Sequence, residues 1–194
     1  MVLFRSLLLL STMLLACHTL RAQQEPEKKK IEETDDEWNG IRLGCHMARL
    51  SGEEEGDARI GFYEGYYRNL LNVPLYSLSL GLEYHTAGGE IGAYEQRLNY
   101  ISLPLNNRFK LGPAYADLGV EMAILVIEKW RQDHSEIDIP DGYEAERTDL
   151  LLHAGVGCRV VANLSVMVRY RMGLMDVYEG YRNIGWEFGV CSHF

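Results

Sequence analysis

The sequence predicts an all-β protein, an eight-stranded antiparallel up-and-down transmembrane β-barrel. Three observations carry that reading. From Gly40 to Phe194, apolar and polar residues alternate through eight short segments, the period of a strand whose two faces meet different surroundings. The connections between these segments alternate long and short, which puts tight turns at one end of the barrel and loops at the other. No apolar run reaches the roughly 20 residues that a helix needs to cross a bilayer, so a membrane could be crossed only by strands.

The composition is that of a folded chain with room for one domain or two: 194 residues, 47% hydrophobic and 24% charged. Lys and Arg number 19 against 28 Asp and Glu, a formal charge of −9. Nucleic acid is therefore excluded as a partner, since its affinity comes from cationic side chains that release counterions.

Residues 1–22 read as a removed signal peptide. Arg5 supplies the positive start, Leu7 to Cys17 the apolar stretch, and Leu20-Arg21-Ala22 the small-residue cleavage site before Gln23. Leu14-Leu15-Ala16-Cys17 also fits a lipobox whose Cys would be lipidated. Either reading exports the chain. Residues 23–39, charged and without periodicity, read as a flexible periplasmic tail that buries too little apolar surface to fold alone.

The barrel is expected over residues 40–194. Its first segment alternates Ile41, Leu43, Cys45 and Met47 with Arg42, Gly44, His46 and Ala48. The second, Ile60 to Leu71, places Ile60, Phe62 and Tyr66 on one face with Glu64 and Arg68, and Gly61, Tyr63, Gly65 and Tyr67 on the other, so its orientation stays open. The third is the clearest: Tyr76, Leu78, Leu80, Leu82 and Tyr84 against Ser77, Ser79, Gly81, Glu83 and His85. In the fourth, Ile101, Leu103, Leu105 and Phe109 oppose Ser102, Pro104, Asn106, Arg108 and Lys110; in the fifth, Leu118, Val120, Met122 and Ile124 oppose Asp117, Gly119, Glu121 and Ala123. The sixth sets Leu150, Leu152, Ala154, Val156, Cys158 and Val160 against Asp149, His153, Gly155, Gly157 and Arg159, with Leu151 breaking the polar face. The seventh sets Leu164, Val166, Val168, Tyr170 and Met172 against Ser165, Arg169, Arg171 and Gly173. The eighth sets Ile184, Trp186, Phe188, Val190 and Phe194 against Gly185, Glu187, Gly189 and His193.

Tight turns are expected near Asn72-Val73-Pro74, at Leu111 to Pro113 and at Val161 to Asn163. Long loops are expected at 51–58, 86–97, 127–147 and 175–182. An even number of strands puts both termini on the turn side.

Alternation shows two environments without saying which is inside. In a soluble barrel the apolar set fills the interior; in a membrane barrel it faces lipid. The chemistry of the polar face favours lipid outside. It is rich in Gly (44, 81, 119, 155, 157, 173, 185, 189), which suits a crowded interior better than a free surface. It carries both signs of charge, Arg42, Arg108, Lys110, Arg159, Arg169 and Arg171 with Glu83, Asp117, Glu121, Asp149 and Glu187, enough to plug a narrow lumen with ion pairs. Tyr84, Phe109, Tyr170, Trp186 and Phe194 lie near strand ends on the apolar face, as an interfacial girdle would.

These residues resemble a known family. Tyr100-Ile101-Ser102-Leu103-Pro104-Leu105-Asn106-Asn107-Arg108-Phe109 resembles a strand of the PorT-like outer-membrane β-barrel family. Leu80-Gly81-Leu82-Glu83-Tyr84 is similar to the strand before it there, Tyr115-Ala116-Asp117-Leu118-Gly119 to the one after, and Arg169-Tyr170-Arg171-Met172-Gly173-Leu174 to the arginine-tyrosine, glycine-leucine strand. Ser102 replaces the usual acid, and Asn106-Asn107 the usual leucines, which questions lipid contact at Asn107. The resemblance implies a bacterial outer-membrane barrel, with one family member known for a part in protein secretion. It also implies recognition of the strand ending in Phe194 by barrel-assembly machinery.

Catalysis finds no support in the sequence. Ser192 and His193 are adjacent in a strand and point to opposite faces; Asp149 and His153 share a face but lie about 13 Å apart. A nucleophile and base would have to come from neighbouring strands. His46, His85, His153 and His193 share the polar face and read as members of the interior hydrogen-bond network rather than metal ligands. After Cys17 leaves, Cys45, Cys158 and Cys191 remain, odd in number and too widely spaced for a disulfide framework or zinc site. The loop acids Glu53 to Glu55, Asp57, Asp133, Glu136, Asp138, Asp141, Glu144 and Glu146 lack calcium-loop spacing and read as a solvated rim, with weak divalent bridging to lipid headgroups as the sharper alternative.

The expectation is thus an outer-membrane protein with no catalytic residue, cofactor or metal, whose partners are outer-membrane lipids, the assembly machinery and an envelope or secretion protein. The rivals are an exported soluble barrel that binds a small apolar ligand and a lipid-modifying enzyme of the outer membrane. An open, conducting lumen is a third.

Overall fold

The computed structural model describes residues 38–52, 57–91, 94–132, 135–139, 145–178 and 180–194. The segments read as signal peptide and tail lie outside them, apart from Trp38 and Asn39. Among the described residues nine strands follow in order: β1 (Asn39–Ser51), β2 (Arg59–Val73), β3 (Tyr76–Ile91), β4 (Tyr94–Leu111), β5 (Ala114–Gln132), β6 (Ser135–Ile137), β7 (Thr148–Val161), β8 (Leu164–Gly173) and β9 (Arg182–His193). All pairings are antiparallel, and β1–β9 together with β4–β5 close eight of the strands into a barrel. β6 is not one of the eight; it pairs only with the far end of β5.

The lateral ladder measures the stagger. Leaving β5 at Ile124, it passes through Ile101, Tyr84, Glu64, Leu43, Val190, Val166 and Cys158 and returns to β5 at Ala114, ten residues lower. An eight-stranded barrel with that shear has strands tilted by about 40° and an interior that side chains can fill.

Two of the expected long loops are corrected. Residues 86–97 are not a loop: β3 and β4 run on in register to the pair Ile91 and Tyr94. β5 continues to Gln132 and folds back through β6. The alternation that was visible as far as Ile124 is lost here because of a bulge. Asn99 pairs with Ile127 but Tyr100 with Leu125, which leaves Val126 over and sends Val126 and Ile127 to the same outer face. The three expected tight turns are in place, and Gly112, between β4 and β5, has φ +63°, a conformation that suits glycine.

The wall is apolar outside and polar inside. Leu43, Phe62, Leu82, Leu103, Val120, Leu152 and Phe188 are exposed on the outer surface. Arg42, Glu83, Asp117, Glu121, Arg169, Arg171 and Glu187 are 2% exposed or less. The orientation left open for β2 is resolved: Tyr63 and Tyr67 are 1% and 2% exposed in the lumen, and Ile60, Phe62, Glu64, Tyr66 and Arg68 point outward.

Lumen glycines serve as notches for rings. A Cβ at Gly157 would lie 2.2 Å from Cζ of Tyr115, and one at Gly189 would lie 2.0 Å from the Tyr63 hydroxyl. Asn107 does face outward, half-buried at the turn end. Its Oδ1 accepts from Tyr76 Oη at 2.7 Å and its Nδ2 donates to Leu118 O at 3.3 Å, so its polar atoms are paired.

Candidate functional site: a filled lumen with two closed mouths

The middle of the lumen is an ion-pair cluster built by five strands. Glu83 of β3 receives Arg42 of β1 at 3.3 Å and Arg169 of β8 at 2.7 Å, and also meets Arg171. Arg169 pairs with Glu187 of β9, and Arg171 spans Glu187 and Glu121 of β5 at 3.0 Å each. Below, Arg108 donates twice to Asp117, at 2.8 and 3.1 Å, with its guanidinium 4.0 Å over the Tyr115 ring. Four arginines meet four carboxylates, so the charge of this buried layer cancels. Such pairing is the condition for burying charge at all.

His85 and His153 point Nδ1 toward Glu121 at 3.6 and 3.9 Å, His153 from the rung of Arg171 itself, and His46 Nδ1 lies 2.9 Å from Thr86 O. Among the described residues no three His, Cys, Asp or Glu side chains converge on a metal position.

The loop-side mouth is capped by apolar side chains that the sequence did not announce as a layer. Ala48, Leu50, Ala87, Leu98, Tyr100, Ala123 and Leu151 pack there with Val177 and Tyr178, which the β8–β9 connection folds over the opening, and with Ala145. Leu151, the one break in the polar face of its strand, is part of this cap. Tyr178 Oη donates to Gln96 Oε1 at 2.9 Å, Gln96 Nε2 donates to Glu128 Oε1 at 3.2 Å, and Trp130 Nε1 donates to the same oxygen at 2.9 Å. Beneath the cap, a cavity of about 10 Å³ remains between His46, His85, Leu151 and Arg171.

The turn-side mouth is a basin of about 40 Å³ lined by residues including Arg108, Lys110, Tyr115, Arg159, Ser165 and His193. One His193 ring nitrogen lies 2.7 Å from Ser165 Oγ and the other 2.5 Å from Tyr67 Oη. This juxtaposition was invisible in the sequence, because both residues sit on lumen faces and only the β8–β9 register makes them neighbours. A serine on an imidazole is the start of a hydrolase site. Here the third group is a phenol, and Asp117, the acid nearby in the lumen, is engaged by Arg108. Ser165 is 1% exposed behind a basin too small for a lipid acyl chain.

The other residues weighed from the sequence are dispersed. Ser192 faces outward, away from His193. Asp149 pairs with Asn183 Nδ2 at 3.1 Å and not with His153. Cys45 is exposed on the outer wall, Cys158 is buried, and Cys191 lies inside against Met167, all as free thiols. Of the loop acids, Asp57 is tied to Glu90 through the backbone, Glu90 N donating to Asp57 O at 3.4 Å, and Glu136 pairs with Lys129 at 3.0 Å on the surface. Glu53 to Glu55, Asp133, Asp141 and Glu144 lie outside the described residues.

No protein-family model matches the chain and no curated protein matches it. Solved structures do. Neisserial surface protein A superposes with a TM-score of 0.59 at 14% identity, covering 80% of this chain and 97% of its own. Ail, the attachment invasion locus protein of Yersinia pestis, gives 0.52 at 15% identity, with 81% and 99% covered. The same Yersinia pestis protein bound to the heparin analogue sucrose octasulfate gives 0.51 at 15% identity, with 80% and 97% covered. The chain has the closed eight-stranded fold of these barrels. At such identities the likeness is one of architecture.

Proposed function

We propose that this protein is a bacterial outer-membrane β-barrel with a non-catalytic, structural or interaction role in the envelope, exported by the signal peptide at residues 1–22 and related to the PorT-like barrels. The observation that carries the reading is the inverted wall. Apolar side chains face outward on every barrel strand while Arg42, Glu83, Glu121, Arg169, Arg171 and Glu187 are sealed inside, the arrangement hydrocarbon selects and water does not. An exported soluble barrel that carries a small apolar ligand fits poorly, because its interior would have to be apolar and hollow, whereas this one is charged and filled.

The filled lumen and the apolar cap support anchoring or presentation rather than conduction. The extended β3–β4 and β5–β6 hairpins at the loop end supply a surface for a partner outside the membrane. The strand ending at Phe194 supports engagement of the barrel-assembly machinery during insertion.

Fractionation with gel mobility before and after boiling tests location and fold together. The expected result is a band that resists carbonate extraction and shifts on heating. A carbonate-soluble protein without a heat shift would end the proposal. In planar bilayers the folded protein is expected to show no stepwise conductance.

A further inference from the structure

The turn-side basin is bordered by three cationic side chains, Arg108 and Lys110 of β4 and Arg159 of β7, and no Asp or Glu is among the described residues that line it. The layer above supplies little to balance them. Its other arginines are matched by Glu83, Glu121 and Glu187, and Asp117, the carboxylate next to the basin, is held by both arms of Arg108. Lys110 donates to Asn72 Oδ1 at 2.5 Å and to Val73 O at 3.1 Å, both neutral acceptors. Three positive charges in the walls and one carboxylate beneath make a concave site of net positive charge, where the field on an anion is stronger than on an open surface.

The walls also hold neutral donors. Ser77 and Ser165 line the basin, and the two ring nitrogens of His193 are taken by Tyr67 Oη and Ser165 Oγ. With the phenol donating to Nδ1, Nε2 carries the ring proton and donates to Ser165 Oγ, which leaves the serine O–H for a guest. The size of the guest is bounded as well. About 40 Å³ is roughly three times the ~10–15 Å³ that one water needs, room for a few heavy atoms and not for a sugar ring or an acyl chain.

We propose that the turn-side basin binds a phosphate group as a dianion, either inorganic phosphate or the end of a soluble monoester. The guanidinium forks of Arg108 and Arg159 match phosphate oxygens, Lys110 adds a point charge, and the serine hydroxyls complete the donor set. A phosphodiester fits less well, since it carries a single charge and a second substituent that the basin has no room for. The site goes beyond the membrane reading and takes from it only the side the basin faces, which is the periplasm.

The test uses the full chain folded in a non-ionic detergent, with heat-shifted gel mobility to verify the fold of each variant. Calorimetric titration at constant ionic strength in chloride compares inorganic phosphate, glycerol 3-phosphate and short-chain phosphatidylglycerol. One phosphate is expected per chain, displaced by glycerol 3-phosphate and not by the lipid. Arg159→Gln and Lys110→Gln should each weaken binding at least tenfold and Ser165→Ala severalfold, whereas Lys129→Gln at the loop end should leave it unchanged. Heat no greater than that of chloride, equal weakening by Lys129→Gln, or a preference for the lipid would each overturn the proposal. So would binding that arises only after Asp35, Asp36 and Glu37, which precede Trp38 in the sequence, are changed to their amides, because the chain's own acids would then be the occupant. A carbonate-soluble parent without a heat shift would strike the membrane reading instead, and phosphate binding by that protein would still uphold the site.

Discussion

Arg171 Nη2 lies 3.0 Å from Glu121 Oε2 in the centre of the barrel, with the two side chains 1% and 0% exposed. The same guanidinium meets Glu187 at 3.0 Å and also reaches Glu83, while Glu83 is shared with Arg42 and Arg169. Strands β1, β3, β5, β8 and β9 are therefore tied across the lumen as well as along their edges.

Removing one member should cost far more than an exposed pair is worth. Glu83→Ala leaves Arg42, Arg169 and Arg171 short of a shared acceptor in a dry interior, and the expected loss is about 3–5 kcal/mol. Lys129→Ala breaks the exposed pair with Glu136 and should cost under ~1 kcal/mol. Urea unfolding of the bilayer-inserted protein, followed by gel mobility, compares the two; equal losses would show that the cluster does not hold the barrel.

Gly157 and Tyr115 should be energetically coupled. The three atoms nearest a Cβ at Gly157 all belong to the Tyr115 ring, which is held under Arg108. Gly157→Ala is expected to destabilise by about 1–3 kcal/mol through overpacking. In a Tyr115→Leu background, the same change should cost much less. A double-mutant cycle with no coupling would remove the notch explanation.

The cap depends on Tyr178. Tyr178→Ala deletes the bond to Gln96 and a ring that packs at a tilt against Trp130, with centroids 6.4 Å apart, and Tyr181, 5.2 Å apart. Faster protease cleavage between Met175 and Tyr181 is expected from the loop side, while the heat shift persists because the ion-pair layer below is untouched. Unchanged cleavage would mean that the connection is held by its backbone bonds alone, such as Glu146 N to Val177 O at 2.6 Å.

Ser165 separates the structural from the catalytic reading of the turn-side basin. A fluorophosphonate probe should leave Ser165 unmodified in the folded barrel, since the hydroxyl is buried behind a basin of about 40 Å³. Labelling that vanishes in His193→Gln would establish a nucleophile and reopen the lipid-modifying alternative.

What could be read along the chain was whatever depends on a period of two. The faces of β3, β7, β8 and β9, and the charges destined for the lumen, were legible because each side chain's direction follows from its position in its own strand. β2 was illegible for the same reason: Tyr63 and Tyr67 look apolar, Glu64 and Arg68 look polar, and the strand reverses both expectations. The bulge at Val126 hid the upper part of β5 by shifting the phase by one residue.

Partnership across strands was another matter. That Ser165 meets His193, that Glu83 gathers three arginines, and that Leu50, Leu98 and Leu151 stack into one cap all depend on register and shear. Those are properties of the closed ring, since a ladder that returns ten residues lower sets the height of every residue against its neighbours. Local alternation carries no information about that height, because sliding a strand by two residues leaves every face unchanged while replacing every contact.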